Sequence, residues 1–333
     1  MPKSFERMIR ICLAHIFVSE LHRRTEMEEF MKEHLTIKSN FDQLPLDVVI
    51  MSPPHPIGIV QFSHGMCEHK ERYFDFMNFL VKNGYVCLIH DHRGHGKSIF
   101  KEEDLGYFYD QGHLGIVEDV HQLTLLMKQR YPELPLYLFG HSMGSLVVRC
   151  YTKKYDQDID GLIVCGSPSL NPAAGMGIHL ARISAKLSGD HHRPKLIQKI
   201  GFDAFNKNFD KKTPNSWICS DSKVVQAYNQ NPLCRFIFTA NGFESLFHLM
   251  KETYNPQNWV MKKEELPIYF VAGKEDPCIV SEKKFQEAVQ FMKDRGYHHV
   301  SSHLFANMRH EILNEKNHQQ VYEYLLNILK SWE

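Results

Sequence analysis

Five residues, Gly140-His141-Ser142-Met143-Gly144, join two segments of opposite character. Before them, Leu134-Pro135-Leu136-Tyr137-Leu138-Phe139 is a short apolar run with strand chemistry. After them, Ser145-Leu146-Val147-Val148-Arg149-Cys150-Tyr151 opens a helix-period pattern. A strand, a sharp turn and a helix in this order fit few architectures, because the helix must fold back along the sheet that it leaves. The G-x-S-x-G pattern puts Ser142 in a strained backbone position with its hydroxyl exposed. Gly140 and Gly144 lack side chains, so the strand and the helix can approach closely.

The rest of the chain agrees with this frame. From Thr36 onward, strand and helix patterns alternate. Residues 46–51 and 57–62 read as strands around the turn Pro53-Pro54-His55-Pro56, 73–83 as a helix closed by Gly84, and 85–90 as an apolar strand. Residues 115–131 repeat apolar positions at helical spacing up to Pro132, and 161–165 form another strand. Residues 267–272, 282–295, 300–305 and 319–332 then read as strand, helix, strand and helix. Apolar strands alternating with helices predict an α/β fold, a mostly parallel sheet covered on both faces.

Two segments lie outside this rhythm. Between Gly166 and Glu264, about a hundred residues stand where one crossover needs about thirty. This stretch is rich in aromatics (Phe202, Phe205, Phe209, Trp217, Phe236, Phe238, Phe243 and Phe247), and it is expected to cap the carboxyl edge of the sheet and line a pocket there. At the start, Phe5, Met8, Ile9, Cys12, Leu13, Ile16, Phe17 and Leu21 recur at helical spacing and predict an amphipathic helix that docks on the domain or a partner, with weak membrane-surface contact as the sharper alternative. The expected organisation is a helical extension over 1–35, a first core part over 36–166, a cap over 167–263 and a second core part over 264–333.

Composition narrows the class further. Lys plus Arg and Asp plus Glu balance at 39 each, so the chain has no basic footprint for nucleic acid. No apolar run approaches the about 20 residues that a membrane-crossing helix needs. The eight cysteines are scattered without a C-x-x-C pair, which is the usage of reduced thiols in a cytoplasmic protein. His90-x-His92-x-x-His95 has histidine spacing, but Arg93 stands between the candidates, and no metal is expected.

A serine hydroxyl is a poor nucleophile and needs a base oriented by a carboxylate. Asp276 follows the strand at 267–272 in the turn Gly273-Lys274-Glu275-Asp276-Pro277, with Glu275 as the neighbouring alternative. His310 follows the strand ending at Phe305, whereas His298, His299 and His303 precede or lie within that strand. Ser142, Asp276 and His310 thus occur in the order of a nucleophile, its acid and its base. An oxyanion would need backbone donors, and the amides of Met143 and Met66 are the candidates, with Gly65 allowing the turn.

Together these residues carry a family resemblance. His64-Gly65-Met66-Cys67-Glu68-His69 followed by Arg72-Tyr73, the loop Asp91-His92-Arg93-Gly94-His95-Gly96-Lys97-Ser98, and the elbow Gly140-His141-Ser142-Met143-Gly144 resemble the monoglyceride lipase and lysophospholipase branch of the α/β-hydrolases. The similarity covers about residues 36–333. It implies an α/β-hydrolase fold with an eight-stranded sheet, no cofactor, and a small ester or lipid substrate. It also implies Ser142, Asp276 and His310 as the catalytic residues, with Met66 and Met143 as oxyanion donors. His64, Gly65 and His141 come with the motifs. Glu68 and Arg72 would lie near the polar head of the substrate, or else form a salt bridge that holds the loop. Asp91, Arg93 and Ser98 read as turn-stabilising. The same branch includes serine aminopeptidases, which would need a cap carboxylate such as Asp203, Asp210 or Asp221 to grip a free amine. A short-chain or feruloyl-type esterase is the nearest rival. Cys67, beside the oxyanion loop, is expected either to expose the enzyme to bulky thiol reagents or to serve as a small buried residue.

Overall fold

The computed structural model describes residues 30–333. The amphipathic helix expected before residue 30 lies outside the described residues. The first described element is not helical. Strand β1 spans Met31–Lys38, so it begins inside the segment assigned to the extension. Its side chains alternate between half-buried (Glu33, Leu35, Ile37) and exposed (Lys32, His34, Thr36), the pattern of a polar edge strand.

The other strands are β2 (Pro45–Ser52), β3 (Gly58–Ser63), β4 (Tyr85–His90), β5 (Leu136–His141), β6 (Gly161–Cys165), β7 (Ile268–Gly273) and β8 (Val300–Phe305). They form one eight-stranded sheet in the order β1-β2-β4-β3-β5-β6-β7-β8. β2 is antiparallel to β1 and β4, and every other pair is parallel. The parallel strands β3 to β7 are buried on both faces, which explains their largely apolar runs, whereas the edge strand β8 is partly exposed between Val300 and Phe305. Ile59, Leu88, Leu138, Val164 and Phe270 point to one face, where helices α2 (Gly112–Arg130), α3 (Met143–Tyr155) and α8 (Glu282–Asp294) cover them. Val60, Ile89, Phe139, Ile163 and Val271 point to the other, under α1 (Phe74–Lys82) and α9 (His318–Lys330). This is the α/β-hydrolase arrangement.

Four helices lie between β6 and β7: α4 (Ala174–Ser188), α5 (Lys195–Phe202), α6 (Ser222–Gln230) and α7 (Ala240–Thr253). The last belongs to the core. Phe243 and Leu249 are fully buried in the same cluster as the sheet residues, and Thr253 Oγ1 donates to the Leu146 carbonyl of α3 at 3.3 Å. α7 is therefore the crossover helix from β6 to β7, and what stands over the sheet edge is the stretch before it.

Candidate active site

Ser142 sits where β5 meets α3, at φ 54° and ψ −119°. A positive φ is costly for a residue with a Cβ, about 1–3 kcal/mol, and persists only when its surroundings enforce it. Here the enforcement is visible. The Ser142 amide is held by the Cys165 carbonyl of β6 at 2.9 Å. A Cβ at Gly144 would lie 2.0 Å from the Ser63 carbonyl oxygen, and one at Gly140 would lie 2.5 Å from the Gly144 oxygen. Both glycines are therefore required by contact, as the sequence motif predicted.

Asp276 follows β7 and His310 follows β8, so the chain order becomes spatial proximity at one sheet edge. His310 Nδ1 donates to Asp276 Oδ2 at 2.9 Å, and both residues are buried. Asp276 Oδ1 accepts the Cys278 amide at 2.8 Å, which fixes the carboxylate plane. Glu275, the sequence alternative, is exposed and faces away. Ser142 and His310 line one cavity of about 1080 Å³, together with Gly65, Met66 and Met143. The Met143 amide is the first of α3, where no intrahelical carbonyl can reach it, and the helix dipole favours negative charge there. Among the described residues, the Met66 amide donates to no protein acceptor.

Glu68 is the hub beneath these parts. It is 3% exposed. Its Oε1 accepts from the Gly65 amide, from Tyr73 Oη at 2.9 Å and from His141 Nδ1 at 3.3 Å. His141 Nε2 in turn donates to the His310 backbone carbonyl at 3.2 Å. Both His141 nitrogens thus face acceptors, the pattern of an imidazolium. Although burial works against its charge, the Glu68 contact raises the His141 pKa. Burial likewise opposes the Glu68 charge, but His141 and Arg72 hold its carboxyl below the usual range. Arg72 is outside the cavity wall, and its guanidinium grips Glu311 at 2.6 and 2.5 Å. Glu68 also lines the cavity, whereas Arg72 does not, and the two form the salt bridge of the alternative reading at 3.4 Å. They tie the loop after β3 to the Ser142 turn and to the His310 loop.

This clamp makes a prediction. Glu68→Gln should lower the unfolding free energy at neutral pH by about 3–5 kcal/mol, because it leaves a buried histidinium and arginine short of a partner. Urea denaturation measures the difference. Glu68 has a depressed folded pKa, so its contribution is present above about pH 4.5 and shrinks as the pH falls. The gap between wild type and variant should narrow on acidification. A gap under about 1 kcal/mol at neutral pH would contradict the clamp.

The remaining motif residues hold loops. His64 Nε2 accepts the His92 amide at 2.9 Å while Nδ1 donates to the Gly65 carbonyl at 2.8 Å, so this ring is neutral. Burial lowers His64 to about 4, and His90 and His95 to about 3. Asp91 accepts from Lys70 Nζ at 2.7 Å, Arg93 donates to Asp119 at 2.9 Å, and Ser98 accepts the Asp47 amide at 2.9 Å. Cys67 is buried against the Phe236 carbonyl, and burial pushes its thiol well up. Cys67 also lines the cavity, so the thiol is both a small buried residue and within reach of a reagent that enters there.

Of the cap aromatics, Phe202, Phe205, Trp217 and Phe247 line the cavity, while Phe238 and Phe243 pack into the core. No separate signal in the residues marks the contacts that tie the cap to the His310 loop. Trp217 lies 4.9 Å from the His310 ring. Arg309 donates to the Ser216 and Cys219 carbonyls at 2.6 and 2.9 Å, and the Glu311 amide donates to the Ile218 carbonyl at 2.7 Å.

A nucleophile elbow, a buried His–Asp pair and a capped cavity at one sheet edge invite comparison with known proteins. The profile of the family described as serine aminopeptidase, S33, matches residues 54–317. The chain belongs to this family. A monoacylglycerol lipase from Mycolicibacterium smegmatis is 29% identical over 181 residues, which span 54% of this chain and 56% of that relative. Among solved structures, a thermostable carboxyl esterase from Bacillus coagulans superposes with a TM-score of 0.82 at 26% identity, covering 90% of this chain and 98% of the esterase. A monoglyceride lipase from Saccharomyces cerevisiae shares the fold at a TM-score of 0.70 and 18% identity, covering 92% and 96%.

Proposed function

We propose that this S33-family member is a cofactor-free serine hydrolase of carboxylic esters, acting on a single-chain lipid such as a monoacylglycerol or a lysophospholipid. Ser142 Oγ attacks the ester carbonyl while His310 takes its proton. Asp276 keeps the imidazole in the right tautomer and offsets its charge. The Met66 and Met143 amides receive the oxyanion. The alcohol leaves with the proton from His310, and water, activated by the same ring, releases the acid from the acyl-enzyme. The names of the relatives, which cover only part of this chain, support this reading.

The observation that carries the lipid part is the cavity itself. From Ser142 it runs along Leu146, Leu246, Phe247, Met250, Phe202 and Phe205, a wall suited to a hydrocarbon chain. The outer face of the cap is apolar too: Ile183, Leu187, Leu196 and Ile200 are 55–79% exposed. This supports contact with a lipid surface through the cap. No helix among the described residues is long and apolar enough to cross a membrane. The seven cysteines among the described residues are free and buried, which supports a reducing, cytoplasmic setting. The aminopeptidase reading is less well supported. Asp210 is spent on its own turn and Asp221 caps α6, and neither lines the cavity.

Hydrolysis of 4-nitrophenyl esters from acetate to palmitate tests the proposal. Activity should peak at medium or long acyl chains and carry over to monoacylglycerols or lysophospholipids. A peak at acetate or butyrate would favour the short-chain esterase instead, and activity only on peptide amides would favour the aminopeptidase.

A further inference from the structure

Asp276, Cys278 and His310 bring three kinds of donor together at the cavity floor. A carboxylate oxygen, a thiol sulfur and an imidazole nitrogen lie within 4.8 Å of one another, all on buried residues. His310 Nδ1–H donates to Asp276 Oδ2 at 2.9 Å, and Cys278 Sγ lies within 4.8 Å of the same carboxylate. The proposed reaction uses the first contact and has no task for the second. Cys278 and His310 both line the cavity, so an ion that enters there reaches the set without unfolding the chain.

We propose that these three residues form an inhibitory site for a thiophilic divalent cation, Zn²⁺ by its chemistry, bound through His310 Nδ1, Cys278 Sγ and one Asp276 oxygen. The inference rests on His310 being the catalytic base. Zinc takes sulfur, nitrogen and oxygen donors together at about 2.0–2.3 Å in tetrahedral geometry. Such donors lie about 3.2–3.8 Å apart, so closing in from at most 4.8 Å needs movements of about 1 Å. Hard cations such as Mg²⁺ want mostly oxygen ligands in octahedral geometry, and this set offers a single oxygen. Cavity water supplies the fourth position.

The charges balance on binding. The dication meets one carboxylate and one thiolate, and the thiol proton goes to solvent. Nδ1 gives up its proton to bind the metal and Nε2 takes one from solvent, so the ring stays neutral. This tautomer is the wrong one for catalysis. Its Nε2 carries a proton towards the cavity and cannot accept another from Ser142. The metal disarms the base without touching the nucleophile.

Co²⁺ titrated into the full-length Ser142→Ala protein reads the site without turnover. A thiolate-to-cobalt charge-transfer band should rise to one equivalent, and a second substitution, Cys278→Ala or Cys278→Ser, should abolish it. In the active enzyme, Zn²⁺ should inhibit 4-nitrophenyl ester hydrolysis, EDTA should restore it, and Mg²⁺ should have no effect. Relative to each variant's own metal-free rate, Cys278→Ala should raise the inhibitory zinc concentration at least about tenfold, since losing a direct ligand costs no less than losing an outer-shell partner. Equal zinc inhibition with and without Cys278, or no thiolate band, would overturn the site. A protein that binds cobalt through Cys278 yet cleaves no ester would refute the hydrolase reading and leave the metal site standing.

Discussion

Ser142→Ala is expected to abolish ester turnover, a loss of about 10⁵–10⁶ in kcat, while the protein stays folded. The alanine keeps the Cβ and the backbone, so only the attacking oxygen is removed. Labelling by a fluorophosphonate should disappear in the same variant. Residual activity within about tenfold of wild type would mean that another group attacks. Ser142→Gly should be equally inactive yet gain about 1 kcal/mol in thermal unfolding, because glycine adopts φ 54° without strain. An inactive variant that is more stable than the wild type would identify the elbow as a place where stability is given up for geometry.

Asp276→Asn is expected to lower kcat by about 10⁴ with the fold intact. The amide would present an N–H to His310 Nδ1 in place of a carboxylate oxygen. The imidazole would then hold its proton on the other nitrogen, the one needed to receive the Ser142 proton. Glu275→Ala is the control, since that side chain is exposed and should leave the rate within about twofold. Parallel measurements on one 4-nitrophenyl ester separate the two acids. Equal losses at both positions would overturn the assignment of Asp276.

Much of this architecture could be read from the residues. Strands β4 and β6 begin and end where their apolar runs do, because a strand buried on both faces needs an uninterrupted run. The Ser142, Asp276 and His310 positions were readable for a related reason: each follows the end of a strand, by one, three and five residues. What escaped depended on tertiary partners. β1 is half charged, and its alternation makes sense only beside β2. The helical period of α7 is that of any amphipathic helix, and only its packing on α3 separates it from the cap. The substrate-head role for Glu68 came from the family resemblance, and nothing in the residues around it pointed to its buried contacts. Its partner His141 is 73 residues away in sequence, and the pairing leaves no local signal.

The segment around Trp217 holds the His310 loop at three backbone points and stacks near its ring. The part of the chain that sorts substrates by shape is thereby bolted to the part that moves the proton. A substrate that wedges this segment outward pulls the base off its station, and one that seats beneath it leaves the base in register. Discrimination between acyl chains would then register in kcat as well as in KM, as in a lock whose key also carries the spring.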